Sequence, residues 1–415
     1  MPELSRCSIA RCCVLVAFLL GSIACERQGA AGAAGAAGAA GAAGAAGAAG
    51  RAAGAQPGSA AAVANQPGSA RALVADSSFA RIIERLSEPG QYFDTDNLIS
   101  NETSYLHVVS ALEEMGVSGG AYIGVGPDQN FSYIARIRPS VAFIIDIRRD
   151  NMLQQLLFKA LFSLSRNRVE YLALLLGRPV PADLPDWDDR SLEQLIEYVG
   201  AAPISPHEAE SLQSVVEIEV KSSGLPLTEQ DLSTIRRYHR TFIANGLDLR
   251  FSSHGRAPLR EYPTYRRLLL ERDLTGRRAS YLAREGDFQF VKSLQERDLI
   301  IPVVGDLAGP HALRAIGEYV AERGERVSAF YTSNVEFYLW GDGSFDRFAR
   351  NTIALPRSER SVIIRSYFGR RFRHPRSVPG YLSTQLLQTI DDFSSQYTAG
   401  DYRSYLDLVL GGALD

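Results

Sequence analysis

GGAYIGVGPDQNFSYIARIRPSVAFIIDIRRDN, residues Gly119 to Asn151, is the stretch that decides the fold. Ala121 to Val125 is apolar and runs into Gly124-Val125-Gly126. Pro127 to Asn130 offers a turn and a helix start, and Val141 to Ile145 is a bare apolar run closed by Asp146. Continuous apolar runs of this length are what strands buried on both faces show. The pattern predicts strand, glycine turn, helix and a second strand. Gly126 and Asp146 stand at the spacing by which a nucleotide-binding α/β fold carries an acidic group to a ribose hydroxyl, about 20 residues. Glycine suits the turn because a Cβ would hold the backbone away from a ligand. The same residues also fit a structural βαβ unit whose glycines serve only the turn.

The stretch departs from the full GxGxxG fingerprint, because Gln129 takes the third glycine position between Asp128 and Asn130. A pyrophosphate prefers an uncharged helix N-terminus, and Asp128 would repel it. An acidic loop suits a cationic or zwitterionic ligand. In this the stretch resembles motif I of the Rossmann-like S-adenosylmethionine-dependent methyltransferases. The resemblance implies that S-adenosylmethionine is the cofactor, with Gly124, Gly126, Asp128, Gln129 and Asn130 around its methionine end. It also implies that Asp146 accepts from the ribose hydroxyls.

Further along, Leu299 to Val304 is apolar throughout and ends in Gly305-Asp306, with Pro310 placed to start a helix over His311 to Arg323. Arg326 to Tyr331 reads as the next strand and ends in Thr332-Ser333-Asn334-Val335-Glu336. By the methyltransferase resemblance, Gly305 and Asp306 follow the fourth strand near the transferred methyl, and Ser333-Asn334 follows the fifth. Asp306 and Asn334 are therefore the catalytic candidates, with Gly305 beside the cofactor. The resemblance also makes Asn101, Glu102 and Tyr105, which precede the first strand, candidates to fold over the cofactor; plain helix capping with a core tyrosine fits them equally. The strings GVGPDQNF (Gly124–Phe131) and VVGDLAGP (Val303–Pro310) resemble an uncharacterised bacterial family, a likeness that implies no substrate.

Strand, helix, strand alternation at both ends of the body predicts an α/β, Rossmann-like, doubly wound and mostly parallel sheet. Between its halves the sequence is helical. Met152–Leu164, Val169–Leu176, Leu192–Val199, Glu208–Val220 and Glu229–Asn245 carry helical apolar spacing, giving a helical insertion over about residues 152–245. A short strand is expected at Leu247–Phe251, another at Ser361–Ile364, and a late helix at Leu382–Phe393.

The N-terminus reads separately. Arg6 and Arg11 precede the apolar run Cys12–Leu20, too short to span a bilayer, which meets Gly21-Ser22-Ile23-Ala24-Cys25. Residues 1–25 resemble a bacterial lipoprotein signal peptide, which implies lipidation at Cys25 and an exported protein held at the membrane. Ser22 stands where that pattern favours an aliphatic side chain, so an ordinary secretory site, a retained anchor and a cytoplasmic protein fit too. Residues 26–75 repeat Gly-Ala-Ala and Gln-Pro-Gly-Ser with almost nothing large and apolar to bury, and read as a flexible tether to the α/β domain at 76–415.

All four cysteines lie in that N-terminal segment, at Cys7, Cys12, Cys13 and Cys25, so thiol catalysis and cysteine metal sites are excluded from the body. A net charge of −3 gives no global pull toward nucleic acid. There is no GxxxxGK[ST], HExxH or GxSxG, and none of the six histidines is paired at metal-ligand spacing. Two arginine clusters, Arg236–Arg240 and Arg365–Arg376, read as solvated faces or as a grip on an anionic partner. The partners expected are a small molecule at the strand ends and the membrane. Two functions follow: a membrane-tethered methyltransferase-like protein, or an exported lipoprotein using the fold as a binding module. A nucleotide-binding protein ranks behind both.

Overall fold

The computed structural model describes residues 79–254, 259–369 and 372–412. The signal and tether read over residues 1–75, Cys25 included, lie outside the described residues.

Six strands form one sheet: β1 Ala121–Gly124, β2 Val141–Asp146, β3 Ile300–Val304, β4 Val327–Ser333, β5 Arg357–Phe368 and β6 Ser383–Thr389. Their order is β3-β2-β1-β4-β5-β6, parallel throughout except for the antiparallel β5–β6 pair. The fold is thus α/β with a mostly parallel sheet, as the alternating pattern predicts. All of β1 and β3, and β2 up to Ile145, are buried, which is why they read as unbroken apolar runs. Pro302 sits in β3 because β3 is an edge. Gly305 N–H donates inward to the Asp146 carbonyl and Val304 N–H outward to Ser87 Oγ, so the N–H that Pro302 lacks belongs to the outer side.

The chain lays β1, β2 and β3 side by side in one direction, then returns to place β4 on the other flank of β1. The order reverses between β1 and β4, and such a switch point opens a crevice at the carboxyl ends of the strands. Around it, the helix Gln129–Ile137 leaves β1, and the helix Arg149–Leu164 leaves β2 and packs on both β2 and β3. Eleven of that helix's residues are buried, because the helices Pro206–Lys221, Glu229–Asn245 and Glu285–Glu296 pack on it from beyond the sheet.

Two expected elements take another form. Residues Gly246–Asp248 make a 3₁₀ turn, and Arg250 reaches only an isolated bridge with Thr264, so Leu247–Phe251 is no strand of the sheet. Leu382–Phe393 is not one helix: β6 fills Ser383–Thr389, and a helix starts at Ile390 with Thr389 Oγ1 capping the Asp392 amide. The first correction changes the strand count. Gly305-Asp306 follows the third strand and Ser333-Asn334 the fourth, so β2 and β1 lie between them. At the usual spacing of neighbouring strands, that puts β3 and β4 about 14 Å apart.

Candidate functional site

The turns after β3, β2, β1 and β4 open onto one cleft of about 650 Å³. Gly305, Asp306, Asp146, Gly126, Gln129, Asn101 and Asn334 all line it, so seven residues expected at the site do meet there. Gly126 adopts φ +87°, a left-handed turn that favours glycine, and its carbonyl accepts from Asn151 Nδ2 at 3.0 Å and Gln155 Nε2 at 3.1 Å. Gly305 is a glycine for packing: a Cβ there would stand 2.2 Å from that of Ala312. Asp306 accepts from the Ala308 amide through Oδ1 and steadies its own turn. Ser333 closes β4 at φ +54°, a strained conformation for serine, and Asn97 on the opposite wall is at φ +49°.

Five expected cofactor contacts face inward instead. Gly124 borders no part of the cleft; a Cβ there would lie 2.0 Å from Asn130 Oδ1 and 2.7 Å from Tyr122 Oη. Asn130 is fully buried, accepting from Tyr122 Oη at 2.8 Å and donating to the carbonyls of Val125 and Pro127, so it staples the turn from within. Asp128 points away to accept from Tyr265 Oη at 2.7 Å and Tyr281 Oη at 3.2 Å, and burial raises its pKa to about 6 against those hydrogen bonds. Glu102 is buried under β4 and β5. It accepts from Tyr331 Oη at 2.6 Å, Gln385 Nε2 at 2.7 Å and the hydroxyls of Ser333 and Ser366. Tyr105, likewise, is a core residue whose hydroxyl donates to the Leu268 carbonyl.

Asp146 is where expected, yet it is not free. Arg148 grips it through Nε–Oδ1 at 3.0 Å and Nη2–Oδ2 at 2.9 Å, and adds its backbone N–H to Oδ1. Through Nη1 the same guanidinium holds the carbonyls of Thr95 and Asp96 at 2.7 Å. It thereby fastens the segment of residues 90–101, which forms one wall of the cleft. That wall is tied twice more: Thr95 Oγ1 donates to the Ser252 carbonyl, and Asp96 pairs with Arg237 and His254. Burial alone would raise the Asp96 pKa, but Arg237 and His254 hold it below the usual carboxylate range. Sequence reasoning passed over Arg148, although alternate residues of an extended strand point the same way and Asp146 precedes it by two.

The charge of the cleft is acidic. Asp146, Asp306 and Asp342 line it, and the one basic side chain among the lining residues is Arg148, already bound to Asp146. Gln129 Oε1 is buried without a donor, while its Nε2 donates to Tyr331 Oη at 3.3 Å. Among the described residues, no arginine of the two clusters lines the cleft. Arg236 pairs with Glu217 and Glu229, Arg237 with Asp96, and Arg365 forms a buried pair with Glu336. Among the described residues, no group of three or more His, Cys, Asp or Glu side chains could hold a metal ion, and no helix is long and apolar enough to cross a membrane.

Residues 97–178 and 247–408 match the family described as Domain of unknown function (DUF7790). The chain belongs to the DUF7790 family. The match takes in every strand of the sheet and the turns after β1, β2, β3 and β4 that open onto the cleft. Between its two parts the DUF7790 match leaves out residues 179–246, which hold the helices Leu192–Ala201, Pro206–Lys221 and Glu229–Asn245, none of which lines the cleft; it also leaves out Gln91, Tyr92, Phe93 and Thr95, which do. No curated protein matches the chain.

Proposed function

We propose that the cleft binds S-adenosylmethionine on a Rossmann-like sheet and that the protein is methyltransferase-like. One observation carries the reading. Gly126, Asp146, Gly305 and Asn334 end four adjacent strands around one open cleft whose formal charge is acidic. A sulfonium with an ammonium group suits such a cleft, and a dinucleotide pyrophosphate does not. Two further features fit this cofactor. Gln129 lines the cleft beside Gly126, its Nε2 3.3 Å from where a side chain at Gly126 would begin. Gly126 leaves its turn without a side chain at that point. The chemistry supplied by the bound cofactor is an electrophilic methyl group, whose transfer asks the protein chiefly for proximity and alignment. Asp146 orients the ribose end and Asn334 faces the acceptor side. Asp306, separated from β4 by two strands, belongs with the cofactor rather than with the reacting centre.

The second reading is an exported, lipid-anchored binding module with no catalysis. The Asp146–Arg148 bond favours it, since most of the carboxylate's capacity to accept is already taken.

Calorimetric titration of S-adenosylmethionine and S-adenosylhomocysteine into the full chain separates them. Asp146→Asn is the better control than alanine, because it keeps an acceptor for Arg148. Micromolar binding weakened about tenfold or more by Asp146→Asn supports the cofactor reading. A folded sample that gives no heat with either ligand leaves the binding module.

A further inference from the structure

Tyr92, Phe337 and Tyr338 are among the most exposed large apolar side chains of the described residues, at 77%, 55% and 44%, and all three stand at the same cleft. Phe337 and Tyr338 are held in an aromatic rim, while Tyr92 stands against His254 with ring centroids 6.3 Å apart. Phe93 meets Tyr338 edge-on at 5.2 Å, Phe337 meets Tyr338 at 5.5 Å, and Phe337 meets Tyr405 at 5.4 Å. The helix Val335–Gly341 that carries Phe337 and Tyr338 is anchored from below by the fully buried Glu336–Arg365 pair, so its outward face is presented on a fixed base. The helix Tyr405–Leu410 packs beside it and brings Tyr405 to the lining of the cleft.

The cleft therefore has two unlike halves. Over β3, β2 and β1 stand Asp306, Asp146 and Gln129, polar and acidic. Beyond β4 the lining is aromatic and aliphatic, and its one formal charge is Asp342, whose Oδ1 accepts from the Ser344 amide at 2.9 Å and hydroxyl at 2.5 Å. Exposed apolar side chains gathered at one opening mark a binding surface. The absence of a free basic group among the lining residues disfavours an anionic occupant, while aromatic faces and a carboxylate favour a cation on an apolar body.

We infer that the β4 half of the cleft takes a cationic amphiphile: an amine or quaternary ammonium head beside the aromatic faces and Asp342, with an apolar tail lying along Phe337 and Tyr338. This rests on the reading that the cofactor fills the other half, and it names the class of molecule that would lie beside it.

Trp340 lines this half of the cleft, and the only other tryptophan, Trp187, is on a 3₁₀ turn packed against Tyr198. A Trp187→Phe background thus leaves the fluorescence of Trp340 as a local reporter. Decylamine, decanoate and propylamine are titrated into the full chain below their aggregation concentrations, with S-adenosylhomocysteine titrated by calorimetry in parallel. The expected result is saturable binding of decylamine, about tenfold or more tighter than decanoate or propylamine. Phe337→Ser, at an exposed position, should weaken decylamine about fivefold and leave S-adenosylhomocysteine unchanged. Binding of S-adenosylhomocysteine with no preference among the three amphiphiles, or with decanoate as tight as decylamine, overturns the proposal and spares the cofactor reading. Decylamine binding without S-adenosylhomocysteine binding overturns the cofactor reading and upholds the apolar half.

Discussion

Arg148 turns back on Asp146, two residues before it, and with the same guanidinium holds the carbonyls of Thr95 and Asp96. One side chain thus joins the end of β2 to the wall of the cleft. Both partners are largely buried, at 6% and 11% side-chain exposure. Removing one member of a buried pair costs about 3–5 kcal/mol. Arg148→Ala should lose stability on that scale and release residues 90–101. Hydrogen exchange measures the second effect: protection should fall in that segment before it falls in the sheet. Uniform loss across the molecule would show that Arg148 supports the fold at large and not the wall.

Two buried groups tilt the pH dependence in opposite directions. The Asp128 pKa is about 6 in the folded protein against an ordinary 3.8, raised by burial, so the native state keeps a proton that the unfolded chain gives up. Its contribution to stability falls as pH rises from about 4 to 6. His239 is lowered to about 4 from 6.5 by burial, with Nε2 donating to the Leu174 carbonyl and Nδ1 unpartnered. There the unfolded chain takes up the proton first, so stability falls as pH drops from about 6.5 to 4. Each shift amounts to about 3 kcal/mol, and in wild type the two offset each other. Asp128→Asn should expose a stability that climbs with pH over this window, and His239→Gln one that declines. Urea titrations at pH 4, 5, 6 and 7 decide it; variants that merely parallel wild type would refute the assignment.

The two glycines flanking Val125 should separate on substitution. Gly124→Ala drives a Cβ into Asn130 and Tyr122, and overpacking of a filled interior costs about 1–3 kcal/mol or more. Gly126→Ala meets nothing closer than 3.3 Å but must hold φ +87°, a strain of about 1–2 kcal/mol. Thermal melts should rank Gly124→Ala as the more damaging, while ligand titration should rank Gly126→Ala first among the folded variants.

Arg365 and Glu336 are each 1% exposed, and Arg365 also donates to Gln388 Oε1 at 2.7 Å. Arg365→Met alone should cost about 3–5 kcal/mol by stranding Glu336, whereas Arg365→Met with Glu336→Leu should recover most of it. Denaturant midpoints of the four members of the cycle give the coupling. Equal losses in the single and double variants would mean that Gln388 and the neighbouring helix, not Glu336, carry the role of Arg365.

The central sheet was legible because β1, β2 and β3 are buried on both faces and contain little else than apolar residues. The same circumstance hid β6. Its burial leaves no alternation, and Leu382, Leu386, Ile390 and Phe393 repeat at a helical interval across what is a strand followed by a helix. Leu247–Phe251 alternates as a strand does, yet Gly246–Asp248 coils into a turn first. At the site, the backbone turns were found and the directions of the side chains were not. Asp128 and Glu102 are each turned by partners far along the chain, Tyr265 and Tyr281 for one, Tyr331 and Ser366 for the other. No local pattern encodes such partners.

The pairing of β2 with β3 carries a kinetic consequence. Ala142 finds its neighbour at Ile300, after the whole helical block has been threaded between them. Loop-closure entropy grows only slowly with length, so the finished pairing suffers little for the distance. Reaching it is another matter, because distant contacts are late and slow to form. During synthesis β1 and β2 emerge together, and β2 must wait with one edge open until residue 300 has left the ribosome. The helix Arg149–Leu164 follows it at once and is apolar enough to collapse against it early. That helix is the natural guardian of the unpaired edge, and the helices that later bury its outer side do so while the sheet is still incomplete.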